Sequence, residues 1–164
     1  MRIIGFCAAI AFALALPACT GGNAVAGTAS EASRPTIALT ISGPGGKHSF
    51  RVETAATSEE QARGLMFRTN IPADGGMLFY PYPGDGGPPR EASFWMKDTP
   101  SPLDIIFIRA DGTIARIAEN TTPFSEAPIG SGEPVAAVLE LRGGRSTELG
   151  IAEGDAVTWD GRKR

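Results

Sequence analysis

Beyond the first twenty residues, every apolar run in this chain is short, and each is stopped by glycine, proline or an Asp-Gly pair. With 21 Gly and 13 Pro in 164 residues, there is little uninterrupted sequence in which a helix of ordinary length could form. The runs themselves alternate or are rich in β-branched and aromatic residues, the pattern of strands. Strands are expected over Thr36–Ile41, His48–Thr54, Gly76–Tyr80, Ala92–Lys97, Asp104–Arg109, Thr113–Ala118, Val135–Leu141 and Ala156–Trp159. Thr57-Ser58-Glu59-Glu60 is a capping box opening one short helix that stops at Gly64, after which Leu65-Met66-Phe67 is expected to carry the chain into the core. Residues 81–89 (PYPGDGGPP) suit neither helix nor sheet, and Thr121–Pro134 reads as a long polar connection. Asp111-Gly112 signals a tight hairpin of type I′, with positive φ at both central residues. The expected fold is mainly β, a small β-rich barrel or sandwich of about eight short strands with one or two short helices.

The N-terminus follows a different pattern. Arg2 precedes an apolar run, Ile3 to Leu16, which ends in Leu16-Pro17-Ala18-Cys19. A run of about 14 residues is short for a bilayer span and suits a secretory signal. The Leu-x-Ala-Cys ending resembles a bacterial lipobox, in which the cysteine becomes the acylated first residue. Residues 1–18 are therefore expected to be a signal peptide, Cys19 the lipidation site, and 19–35, rich in Gly, Ala, Ser and Thr, a flexible tether before one domain at 36–160. Thr20, rather than Asp, after the cysteine resembles the pattern sorted to the outer membrane, so the expected location is the periplasm, on that membrane.

Once the signal is removed, Cys19 is the remaining cysteine and His48 the single histidine. That composition leaves no disulfide pair and no His/Cys zinc set, and no EF-hand spacing is present, so neither a metal nor a cofactor is expected. A net charge of −3, from 15 Lys+Arg against 18 Asp+Glu, argues against a nucleic-acid partner. Ser42–Lys47 has a superficial likeness to a phosphate loop, but its spacing is wrong and His48 stands where Ser or Thr is needed.

Chemistry concentrates in Phe94–Ile108 (FWMKDTPSPLDIIFI), where charges abut two apolar runs and so must be paired, hydrated or used. Alternation puts Leu103, Ile105 and Phe107 on one face and Asp104, Ile106 and Ile108 on the other. It likewise separates Ala137, Leu139 and Leu141 from Val138 and Glu140. One expectation is that Arg68 and Lys97 pair with Asp104 and Glu140 at a barrel end, with amides of the 97–102 loop as further partners of Asp104. Another is a site, with Asp98, Asp104 and Glu140 as carboxylates for acid/base chemistry on a glycoside. There is no Ser-His-Asp pattern around His48 and no Gly-x-Ser-x-Gly elbow. Flat aromatic faces beside the Gly/Pro loop suit a small-ligand site. The candidate binding residues are thus Arg68, Tyr82, Trp95, Lys97, Asp98, Asp104 and Glu140, and no catalytic residue is assigned.

The ordered blocks GLMFR (Gly64–Arg68), GGMLFY (Gly75–Tyr80), FWMKDT with PLDIIFI, VLELRGG (Val138–Gly144) and a closing Gly154-Asp155 resemble the bacterial and archaeal family catalogued as domain of unknown function 192. The resemblance covers about Thr36–Trp159 and implies a compact β-rich domain, often exported. It brings no activity with it. The reading is an exported, lipid-anchored envelope protein that binds a small molecule or glycan. The alternatives are an assembly factor that contacts another envelope protein, and a carboxylate-based hydrolase of envelope glycans.

Overall fold

The computed structural model describes residues 34–162, so the expected signal segment, Cys19 and most of the expected tether lie outside the described residues. Nine strands and two short helices are present among those described: β1 Thr36–Gly43, β2 Gly46–Ala55, α1 Ser58–Arg63, β3 Gly76–Phe79, β4 Arg90–Phe94, β5 Leu103–Ile108, β6 Ile114–Ala118, β7 Ile129–Val135, β8 Ala137–Arg142, α2 Arg145–Leu149 and β9 Ala156–Trp159. Seven strands form one sheet in the order β6-β5-β8-β3-β2-β1-β9, curled into a half-barrel, and β4 and β7 form a second, two-stranded sheet. All pairings are antiparallel except β2 with β3. A bridge between Thr113 and Ala156 brings the two edges of the large sheet together.

The curl makes two cores. One holds Leu39, Ile41, Val52, Ile106, Leu139 and Val157 among others, from the face that the curl encloses. The other lies on the opposite face, where Met77, Phe79, Ile105, Phe107 and Val138 pack with Ala92 and Val135 of the small sheet and Leu65 of the turn after α1. Central strands covered on both faces read as near-continuous apolar runs, here broken only by Asp104 in β5 and by Glu140 and the terminal Arg142 in β8. With both faces covered, β5 is buried at all six positions and β8 at all but its last. The alternation read from the sequence sorts these residues between the two cores as expected.

α1 opens with the expected capping box: the Glu60 amide donates to Thr57 Oγ1 at 3.2 Å, and the Glu60 carboxylate accepts from the Thr57 and Ala56 amides at 3.2 and 2.8 Å. It ends at Gly64, with φ 50° and ψ −134°. α2 carries no side-chain cap of its own, so its sequence lacks a start signal. The β5–β6 hairpin forms, but not with a type I′ turn. The Gly112 amide donates to the Arg109 carbonyl and the Arg109 amide to the Thr113 carbonyl, and positive φ is confined to Gly112. The turn is thus a three-residue loop, Ala110-Asp111-Gly112, with glycine at the left-handed position. Asp111 adopts ordinary backbone geometry and instead caps the Thr113 amide at 2.8 Å.

Two further expectations need correction. The stretch 121–134 contains most of β7, whose Gly130, Gly132 and Pro134 conceal a strand that pairs with β4 alone; proline is admissible on such an edge. Phe67 does not enter the core: a left-handed φ of 66° turns its ring outward, leaving it 65% exposed, while Leu65 is buried.

Candidate functional site

Glu140 is buried inside the protein, yet its Oε2 has no hydrogen-bond partner among the described residues. Its place follows from register. It stands opposite Met77 of β3 and Ile105 of β5, on the face that carries the second core. A polar side chain on a central strand would normally be matched by a donor or acceptor, because an unmatched buried polar group costs about 1–3 kcal/mol. Here burial alone pushes the carboxyl up to about 8, so at neutral pH it is mostly the uncharged acid, with one O–H to donate and an oxygen to accept.

That carboxyl lines a cavity of about 360 Å³, a size in the range of small-ligand sites. α1 and the 64–66 turn form one wall, the Tyr82–Gly84 loop and β4 another, and Trp95 and Thr99 a third. Gln61 holds the first two walls in place. Its Nε2 donates to the carbonyls of Ala55 (3.1 Å) and Pro81 (2.7 Å), and its Oε1 accepts from the Gly84 amide at 2.8 Å. Phe94 packs edge-on against Phe79 and Phe107, with centroids 5.1 and 6.0 Å away, and lies tilted against Tyr82 at 5.9 Å. Gly64 keeps the space in front of the acid open: a Cβ there would lie 3.1 Å from the Phe79 ring and 3.7 Å from Glu140 Oε2. Arg63 and Arg90 bring cations to the lining. Arg90 pairs with Asp85 at 3.1 Å, whereas Arg63 has no ion-pair partner among the described residues. Burial also pushes the Tyr82 phenol up, against the opposing pull of Arg90.

Of the candidates named from sequence, Tyr82, Trp95 and Glu140 meet in this cavity and the other four do not. Arg68 binds the Glu53 carboxylate through both terminal nitrogens at 3.1 Å, beside a separate depression of about 30 Å³. Lys97 lies over the Trp95 ring at 5.3 Å, and Asp98 is an exposed turn residue with φ 52°. Asp104 is buried as expected, but with other partners. Its carboxylate accepts from the backbone amides of Asn120 (2.8 Å), Gly144 (2.8 Å) and Ser146 (2.6 Å), and so caps α2 from a distant strand. The expected pairing of Arg68 and Lys97 with Asp104 and Glu140 therefore gives way to Glu53 and Trp95 as their partners. Because Asp104 stands opposite Leu141 while Glu140 stands opposite Ile105, the two acids emerge on opposite faces of one sheet.

This geometry limits the chemistry. Glycoside hydrolysis of the usual kind needs two carboxyl groups flanking one bond. The cavity lining contains one, Glu140. One neutral acid facing aromatic walls is suited to hydrogen-bonding a ligand. The residues that sequence reasoning missed are Gln61, Arg63, Arg90 and Ser93. Their signal is weak, since each is a polar residue on a short element whose partner across the cavity comes from elsewhere in the chain.

Comparison with known proteins gives a consistent lineage. A crystal structure of a protein of unknown function from Novosphingobium aromaticivorans DSM 12444 is 43% identical, with a TM-score of 0.73 over 79% of this chain and 89% of that one. A crystal structure described as a putative transcription regulator, from Sinorhizobium meliloti 1021, is 41% identical, with a TM-score of 0.72 over 79% of this chain and 97% of that one. A search of curated proteins found no match. The family model described as "Uncharacterized ACR" matches residues 39–159, and the chain therefore belongs to the domain of unknown function 192 (DUF192) family.

Proposed function

We propose that this is an exported envelope protein, anchored through acylated Cys19, whose domain binds a small amide-bearing ligand in the Glu140 cavity. The observation that carries the binding reading is the buried carboxyl of Glu140, its Oε2 without a partner among the described residues, lining a cavity with aromatic rings; burial also favours its uncharged form. A neutral carboxylic acid presents a donor and an acceptor side by side, which matches the C=O and N–H of an amide. Phe94, Tyr82 and Trp95 offer flat faces to the apolar side of a sugar ring or a short acyl group. Arg63 and Arg90 favour an uncharged or anionic ligand over a cation. An N-acetylated sugar of the cell envelope has all these features. The anchor and the location rest on the N-terminal sequence alone: Arg2, the Ile3–Leu16 apolar run, the Leu16-Pro17-Ala18-Cys19 ending and Thr20. The description of the Sinorhizobium relative as a transcription regulator does not extend to this chain, because a net charge of −3 does not favour a nucleic-acid partner.

The test is a thermal-shift panel of N-acetylated and non-acetylated sugars and small amides, run on the wild type, Glu140→Gln and Gly64→Ala. The reading predicts that at least one amide-bearing compound stabilises the wild type and that Gly64→Ala, which fills the space before the acid, abolishes the shift. A panel in which no compound distinguishes wild type from Gly64→Ala would sink it.

A further inference from the structure

Three large apolar side chains stand exposed among the described residues, Phe67 at 65%, Phe124 at 62% and Trp95 at 47%, and all three belong to one corner of the molecule. The Phe67 amide donates to the Asp98 carbonyl at 2.7 Å, the Phe124 amide to the Thr99 carbonyl at 3.2 Å, and the Met96 amide to the Ser125 carbonyl at 2.8 Å. The 95–99 segment therefore ties together the loops that bear both phenylalanines. Phe67, Asp98 and Phe124 all hold left-handed backbone, with φ of 66°, 52° and 60°, a conformation that bulky residues avoid. Packing within the domain offers these two rings no compensation for it, since both point into solvent.

We propose that Phe67, Trp95 and Phe124 form a bilayer-contact surface, inserting at the boundary between headgroups and acyl chains. Two observations favour a lipid surface over a protein partner. The first is where the chain outside the structure begins. Thr36 pairs with Glu53, Glu53 is held by Arg68, and Arg68 directly follows Phe67, so the N-terminal segment leaves the domain beside the aromatic corner. Residues 20–34, which can reach at most about 50 Å, would join the proposed anchor to the domain on this side, so the corner lies within reach of the bilayer. The second is the chemistry. Separate aromatic tips on turns need no complementary shape, unlike a protein interface, and Trp beside Lys is suited to the membrane interface. Lys97 lies over the exposed Trp95 ring, where its ammonium can reach a headgroup phosphate while the ring enters the apolar layer. Trp95 also lines the cavity, so contact there would place the ligand site at the membrane surface.

The position of the tether rests on the acylated Cys19 of the proposed function, but the aromatic surface must hold a bilayer unaided, so it is tested without the lipid. Mature protein carrying Cys19→Ser is sedimented with vesicles of phosphatidylethanolamine and phosphatidylglycerol. It is compared with the same protein carrying Phe67→Asn, Trp95→Ser and Phe124→Asn; asparagine is chosen because it tolerates left-handed backbone. The expected result is vesicle binding by the parent, at least tenfold weaker in the triple variant, with a blue shift of Trp emission that Trp95→Phe removes. If the triple variant unfolds, Phe124→Asn alone should still weaken binding severalfold. Equal binding by the variants overturns the proposal. So does a parent that ignores vesicles, whether or not it is retained by an envelope protein. Either failure leaves the ligand reading intact, because that reading is tested on Glu140 and Gly64.

Discussion

Replacing Glu140 with glutamine should make the domain more stable in alkali while leaving it nearly unchanged in mild acid. In the folded protein the carboxyl keeps its proton up to about pH 8, because burial opposes charge; in the unfolded chain it ionises near the ordinary value of 4.5. Between those limits the folded state binds more protons than the unfolded state, so the contribution of Glu140 to stability falls as pH rises and levels off above the folded value. With 1.36 kcal/mol per pKa unit, the wild type should lose about 4 kcal/mol between roughly pH 5 and pH 9 through this group. Glutamine occupies nearly the same volume, remains neutral throughout and should not show that slope. The carboxylates held low by hydrogen bonds, at Glu60, Asp85, Asp111 and Glu148, titrate below this window and affect both proteins alike. For a domain of this size the difference amounts to ~15 °C in Tm at the alkaline end. Urea unfolding of wild type and Glu140→Gln at several pH values measures it directly. Parallel stability curves across that range would show that Glu140 ionises freely in the folded state and would refute the argument.

Three other perturbations address the rest of the architecture. Asp104→Asn leaves three backbone amides without their ionised acceptor and should lower stability by about 1–3 kcal/mol in chemical unfolding, with ligand binding unaltered. Gly64→Ala forces a side chain into backbone with φ 50° and ψ −134° beside Phe79. It should destabilise by ~1–2 kcal/mol in the same assay, in addition to crowding the space before Glu140. Cys19→Ser, which leaves at most the weaker hold of the aromatic corner, should move the protein from membranes that keep it through a carbonate wash into the soluble fraction after that wash; unchanged partitioning after the wash, with no acyl label on the wild type, would remove the anchor.

What can be read from sequence, and what cannot, follows from which interactions are local. β5 and β8 are legible because strands buried on both faces are near-continuously apolar, and alternation alone assigns Ile105 and Ile106 to different cores. The capping box of α1 is legible because Thr57 and Glu60 satisfy each other within one turn. The relation between Asp104 and Glu140 is not, since it depends on the β5–β8 register, and a shift of one residue would put both acids on one face. α2 is invisible because its cap is supplied by Asp104, 42 residues before Ser146. β7 is hidden by the glycines and proline that its edge position tolerates. Phe67 reads as a core residue because it is apolar and follows Leu65 and Met66; only the left-handed turn at that position sends it outward. The cavity arises where α1, the Tyr82–Gly84 loop and β4 converge, with Gln61 joining the helix to the loop.

The most direct test of the central claim is a titration of the Glu140 carboxyl carbon by NMR, with and without an N-acetylated sugar that stabilises the wild type. The account predicts a midpoint near 8 in the free protein that moves higher at saturating ligand, because the ligand is held by the protonated acid. A midpoint in the ordinary carboxylate range, or one that no compound in the panel displaces, would contradict it.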